Sequence, residues 1–221
     1  MAHRASTAAR RAGADVRHEH LEPLFRVAGL DTRAPVIATA IHDGHHVRAA
    51  VRSRLAVSDT ERRREEDPFT GELTRAVRAR VVVRTSRFEL DLNRPPTGTI
   101  YAGPADAWGL DLYADLLPAD LRADSVHLYR SFYAAMYQLL SELERRFGRF
   151  LVLDLHAYNH RRDGPATAEA DPRLNPEVNL GTGSLDSRRW APVVRRLLTA
   201  LREPEADLPS LDARENVRFR G

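Results

Sequence analysis

The chain of 221 residues contains no cysteine, which excludes disulfides, thiolate metal ligands and a cysteine nucleophile. Lysine is missing as well, so all 34 basic residues are arginine. A skew this complete reads as coding bias, and no single arginine cluster carries weight on its own. No apolar run approaches the roughly 20 residues of a membrane span, so a soluble protein is expected. The net charge is only +3 and the arginines are scattered among 31 acids. With no aromatic-interleaved basic stripe, nucleic-acid binding is not expected. Residues 1–20 carry Arg4, Arg10, Arg11 and Arg17 but lack the apolar core of a signal peptide. They read as a disordered basic tail on a protein of the reducing cytoplasm.

What is present is enough for one sizeable core, and a single domain over residues 21–221 is expected. Its centre is FLVLDLHAYNH, Phe150 to His160. Phe150 to Leu155 is the short apolar run of a strand buried on both faces, and His156 stands where the run ends. Asp154 and His156 are two apart, so in a strand both point to one face. In open α/β sheets the ligand crevice lies just beyond the carboxyl ends of the strands, which is where this histidine falls. PVIATAIH, Pro35 to His42, is a second such run that also ends in histidine, with Gly44 allowing a tight turn after it.

HHVRAAVRSRL has helical spacing at Val47, Val51 and Leu55, whereas Asp59 to Thr70 reads as a charge-rich loop closed by Pro68. A short helix over 71–77 follows. ARVVVR, Ala79 to Arg84, is a strand, and the alternation in Phe88 to Leu92 predicts a half-exposed one. Pro95 and Pro96 stop the ladder and leave Asn93 and Arg94 at the rim. Weak helical spacing marks 106–117, and the longest helix is expected over 125–148, with Gly148 as its stop. After a loop over 161–176 come the short segment EVNLGTG and a helix over 185–202 capped by Ser184, with Trp190, Val193, Val194 and Leu197 inward. A final strand begins in ARENVRFRG. The alternation of strand and helix predicts an α/β layer fold.

Two strand-end histidines, His42 and His156, together with the acidic pair Glu66 and Asp67, form the ligand set of a catalytic zinc site if they converge. The strings IHDGHHV, REEDPFTGELT, DLNRPP, LYRSFY, VLDLHAYNHR, NLGTG and ENVRFRG resemble, in order, the blocks of the N-formylglutamate amidohydrolase family. The resemblance implies a phosphorylase/hydrolase-like fold of the zinc carboxypeptidase kind: a mixed, mostly parallel sheet flanked by helices. It implies that His42 and His156 ligate zinc with either Glu66 or Asp67, and that Asp154 orients an imidazole from behind. Asn93 and Arg94 would grip the carboxylate of a small carboxylated amide substrate. Arg130 would polarise the scissile carbonyl or make a second anion contact. His45 and His46 are read as helix-start residues.

The activity implied is hydrolysis of an N-acyl amino acid by metal-activated water. The family's general-base glutamate is expected on a strand after RENVRFRG, and the chain looks cut short before it, leaving only Glu215 or another acid as a substitute. Two alternatives follow: a catalytically impaired binding remnant, and a peptide or peptidoglycan amidase. Nothing in the sequence indicates an oligomeric state.

Overall fold

In the computed structural model the residues described are 24–161, 164–205 and 209–221. The basic tail expected over residues 1–20 lies outside them. Four short strands form one sheet: β1 (Phe25–Ala28), β2 (Val36–Ala40), β3 (Ala79–Val83) and β4 (Leu151–Asp154), in the order β1-β3-β2-β4. β2 pairs in parallel with both β3 and β4, while β1 runs antiparallel along the outer side of β3. The sheet is therefore mixed and mostly parallel, as expected.

β2 is buried almost throughout and β3 alternates buried with half-buried residues, which is why VIATA and ARVVV are built from β-branched and small side chains. The sheet packs on the longest helix, so five elements besides the strands need naming. These are α1 (Ala49–Arg52), α2 (Asp59–Glu65), α3 (Thr70–Leu73), α4 (Ala119–Phe147) and α5 (Ser187–Arg202). Leu128, Phe132, Met136 and Leu143 on one stripe of α4 join Ile37, Ile41 and Val81 in the core. Each such side chain contributes about 1.5–3 kcal/mol through burial. α4 ends at Gly148, whose φ of 69° takes the left-handed region while its N–H donates to Glu144 O.

The chain divides into two compact units, one ending at Tyr158 and the other spanning Asn159–Gly221. In the second, β5 (Val178–Leu180) pairs in parallel with β6 (Ala213–Glu215). Arg202 of α5 donates to the carbonyl of Ala213 at 2.8 Å. Among the described residues no helix is long and apolar enough to cross a membrane.

Several elements differ from the sequence reading. β1 was not foreseen. Asp59 to Glu65 is helix rather than loop, because Ser58 and Glu61 form a capping box that ties down its first turn. Conversely, the helix expected after His46 shrinks to Ala49–Arg52, since His46 is drawn into a parallel bridge with Thr85. Phe88 to Leu92 is not a half-exposed strand: Phe88, Glu89, Leu90, Asp91 and Leu92 are all buried. Apart from a single turn at Pro104–Asp106, residues 106–117 are not helical. α4 starts at Ala119, six residues before the expected 125, because Pro118 fits the position just before its first turn. α5 is capped by Asp186 rather than Ser184, its carboxylate accepting from the N–H groups of Arg188 and Arg189. Val193 is 42% exposed there and does not face inward.

Candidate metal centre

The site begins at the ends of β2 and β4. β2 runs out at Ala40, and the backbone carries on through Ile41 to His42, which is wholly buried. The turn beyond it depends on Gly44: a Cβ there would lie 2.1 Å from the carbonyl carbon of Arg84, closer than any side chain can be. β4 ends at Asp154, and His156 follows two residues on with a side chain 32% exposed. The two imidazoles stand 5.0 Å apart between ring centres.

The third member comes from the turn after α2. Glu66 has extended backbone, φ −72° and ψ 165°, so its side chain and that of Asp67 leave the chain in opposite directions. Asp67 turns toward the histidines, with its N–H donating to His42 O at 3.0 Å. Its Oδ2 lies 2.8 Å from His156 Nδ1 and 3.5 Å from His42 Nδ1. Glu66 turns the other way, into a pocket with Arg62, His45 and Ser86, and joins Arg62 in a fully buried ion pair. Among the described residues, ligand atoms of His42, Asp67 and His156 all lie within 4.8 Å of one another. Glu66 is absent from that group, and so is His45, which is held by Glu66.

Each imidazole is gripped from behind by a carboxylate. Asp91 Oδ1 accepts from His42 Nε2 at 2.8 Å, and Asp154 Oδ2 accepts from His156 Nε2 at 3.2 Å. With Nε2 protonated for these bonds, the neutral form of each ring turns its Nδ1 lone pair toward Asp67, whereas protonated His156 donates from Nδ1 to Asp67 Oδ2 at 2.8 Å. His42 Nδ1 is buried and has no hydrogen-bond partner among the described residues. A buried acceptor left unmade costs about 1–3 kcal/mol, and this one points at two further ligand atoms. Two imidazoles, one carboxylate and a supporting carboxylate behind each imidazole is the donor chemistry of zinc.

Asp91 gathers more than His42. Its Oδ2 accepts from Arg87 Nη2 at 3.0 Å and from the Tyr101 hydroxyl at 2.6 Å, and Oδ1 accepts from the Asn93 N–H at 2.8 Å. Burial alone would raise its pKa, but His42 and Arg87 outweigh it and hold the carboxyl well below the usual range. Arg87 continues to within 3.7 Å of Asp67 Oδ1 and carries the ring of Trp108 over its guanidinium at 4.6 Å. Arg94 sits on the outer side of Asp91, its Nε 3.5 Å from Oδ2, and its flank covers the Tyr101 ring at 4.5 Å. The tyrosines of α4 fix the backbone here: Tyr129 donates to Arg94 O at 2.9 Å and Tyr133 to Leu92 O at 2.5 Å. Between α4 and the ends of β2 and β4 lies a cavity of about 500 Å³, lined by Ile41, Leu92, Phe132 and Met136, with Asn93 and Asp154 among its polar walls.

Of the residues singled out from sequence, His42, Asp67, His156 and Asp154 are brought together, with Asn93 and Arg94 at the rim. Glu66 is turned away. Arg130 is exposed on α4. Glu215 belongs to the second unit, where it accepts from Thr182 Oγ1 at 2.6 Å. Sequence reasoning missed Asp91, Arg87 and Tyr101. The available signal was Arg87 four residues ahead of an aspartate embedded in apolar neighbours.

Without metal, the cluster responds to pH in a defined way. Burial pulls the His156 pKa down, but hydrogen bonds to Asp154 and Asp67 outweigh it and raise it from 6.5 to about 9. Burial raises that of Asp67, but the same histidines bring it from 3.8 down to about 2. The stability contributed by His156 is complete below pH 6.5 and lost as pH rises through 9; that of Asp67 is present above 3.8 and lost as pH falls through 2. Thermal unfolding of the metal-free chain across pH 3 to 10 should therefore peak between about 4 and 6.5 and decline toward 9. Asp67→Asn should flatten the alkaline part of that decline.

By fold, the chain is similar to two solved structures. A crystal structure of N-formylglutamate amidohydrolase from Ralstonia eutropha superposes with a TM-score of 0.67 at 17% identity, covering 89% of this chain and 78% of that one. A gene product of Agrobacterium tumefaciens superposes with a TM-score of 0.57 at 16% identity, covering 89% of this chain and 74% of that one. No curated protein matches. The family match is more particular: the N-formylglutamate amidohydrolase model covers residues 34–221, and the chain belongs to the N-formylglutamate amidohydrolase family.

Proposed function

We propose that the chain is a zinc-dependent amidohydrolase that cleaves the amide of a small carboxylated N-acyl amino acid. The observation that carries this reading is the unpartnered, buried Nδ1 of His42, aimed at Asp67 and His156. These three residues would hold the ion. A zinc ion there supplies Lewis acidity and acidifies water.

The remaining steps belong to the chain's own side chains. Asp91 and Asp154 fix the tautomer of each imidazole by accepting its Nε2–H. Arg87 brings a guanidinium to the edge of the cluster, where it can stabilise negative charge developing on a carbonyl oxygen. Its own charge is secured by Asp91 and by stacking under Trp108. Asn93 and Arg94, with their backbone fixed by Tyr129 and Tyr133, receive the substrate's carboxylate. Asp67, Asp91 and Asp154 are each engaged with an imidazole. None is placed to shuttle a proton to a leaving amine, which favours a second reading in which the site binds its ligand and turns over slowly.

The test is hydrolysis of N-formylglutamate by the zinc-loaded chain, with metal content measured on the same sample. One zinc per chain and turnover abolished by His156→Ala support the enzyme. One zinc with no turnover supports the binding site, and no zinc after loading defeats both.

A further inference from the structure

Arg94 offers its outer edge to a ligand, yet in this structure that edge is occupied from within. Its Nη1 donates to Asp106 Oδ1 at 3.1 Å and its Nη2 to the Asp106 carbonyl at 2.6 Å. The inner nitrogen, Nε, faces Asp91 at 3.5 Å. The bidentate edge that would clasp a substrate carboxylate is thus filled by a side-chain carboxylate and a carbonyl of the same residue.

Asp106 is prepared for this role. It ends a single turn, Pro104–Asp106, in which its N–H donates to Gly103 O at 3.0 Å. Its second oxygen, Oδ2, accepts from the Ala102 N–H at 2.9 Å, which leaves Oδ1 facing Arg94. Two residues on, Trp108 at φ 54° and Gly109 at φ 87° take left-handed backbone, and Trp108 lies over Arg87 while remaining 46% exposed. One short loop therefore meets both guanidinium groups that flank Asp91. Side-chain exposures of 30% for Arg94 and 40% for Asp106 leave the pair open to exchange with a solute anion.

The geometry points to Asp106 as a specificity-determining residue: an internal carboxylate seated where a substrate's carboxylate binds, which carboxylated ligands must displace and neutral ones need not. This deepens the amidohydrolase reading and rests on it for the role of Arg94. A tethered competitor acts at a fixed effective concentration and so raises the apparent dissociation constant of every anion that uses the same edge. A partly exposed ion pair of this kind corresponds to about a fivefold effect on affinity.

The test is binding of glutarate, with glutaramide as the neutral counterpart, measured by calorimetry on the full chain without added zinc. Asp106→Asn keeps an acceptor for Ala102 and removes the charge; Asp106→Ser is the second variant, and unchanged thermal unfolding shows that each is folded. The expected result is glutarate binding about fivefold tighter in both variants with glutaramide unchanged. The gain should vanish when Arg94→Gln is added. Three results overturn the proposal: equal glutarate affinity in wild type and variants, an equal gain from Asp111→Asn in the same loop, or a gain that survives Arg94→Gln. Because this readout involves neither zinc nor turnover, failure of N-formylglutamate hydrolysis in every zinc-loaded variant would defeat the amidohydrolase reading while leaving the glutarate result intact.

Discussion

Asp67→Asn should weaken zinc binding by more than about a hundredfold, a larger loss than removing a supporting carboxylate behind a histidine produces. The substitution keeps the shape of the side chain and removes the carboxylate that, among the described residues, groups with both His42 and His156 at ligand distance. Two neutral imidazoles remain, and their Nδ1 atoms lose the charge that makes a dication welcome there. The chain should nevertheless fold, since Asp67 reaches Arg87 only at 3.7 Å and Arg87 keeps Asp91 and Tyr101. Zinc titration against a competing chelator measures the affinity, and circular dichroism measures the fold. Zinc affinity within threefold of wild type would remove Asp67 from the ligand set.

Its neighbour should behave in the opposite way. Glu66→Ala is expected to cost about 3–5 kcal/mol of stability, because it strands the charge of a buried arginine. The Arg62 side chain is 2% exposed and Glu66 is fully enclosed, so water cannot take over when the carboxylate is removed. Ser86 and His45 lose their acceptor at the same time. Arg62 retains the His45 carbonyl at 3.0 Å and Asp59 at 3.2 Å, which keeps the loss within that range. Urea unfolding checks the figure. If any folded fraction is recovered, its zinc affinity should be near that of wild type, and a destabilisation under about 1 kcal/mol would contradict the buried-pair account. On this account adjacent acids divide the work: one substitution removes a proposed ligand, the other a buried ion pair.

How much of this was legible beforehand depends on the residue. His42 was legible because a buried parallel strand leaves an unbroken apolar run, and the polar group that ends the run stands at the crevice; the same run led to His156 and Asp154, although β4 is half-buried rather than buried on both faces. The choice between Glu66 and Asp67 was not, since it turns on the ψ of Glu66, and two acids in succession look alike as text. Asp91 was lost to a false period. FELDL alternates as a half-exposed strand does, but here the acids are buried as deeply as the apolar residues because each has a basic partner: Arg48 for Glu89, His42 and Arg87 for Asp91. Charge pairing across 41 or 49 positions leaves no local trace. Arg130 was proposed from resemblance and lies exposed on α4, where Tyr129, the residue before it, and Tyr133, about one turn on, do the anchoring.

That anchoring has a consequence for how the rim behaves in time. The carbonyls on either side of Asn93, those of Leu92 and Arg94, are each fastened to a phenol of the same helix. The intervening peptide units cannot swivel without breaking one of these bonds, so the amide and guanidinium that would receive a ligand are rigid at their roots and free only at their tips. Variation in which ligands are accepted is then confined to what leans against those tips, and a change at Asp106 can retune selectivity while His42, Asp67 and His156 keep their places.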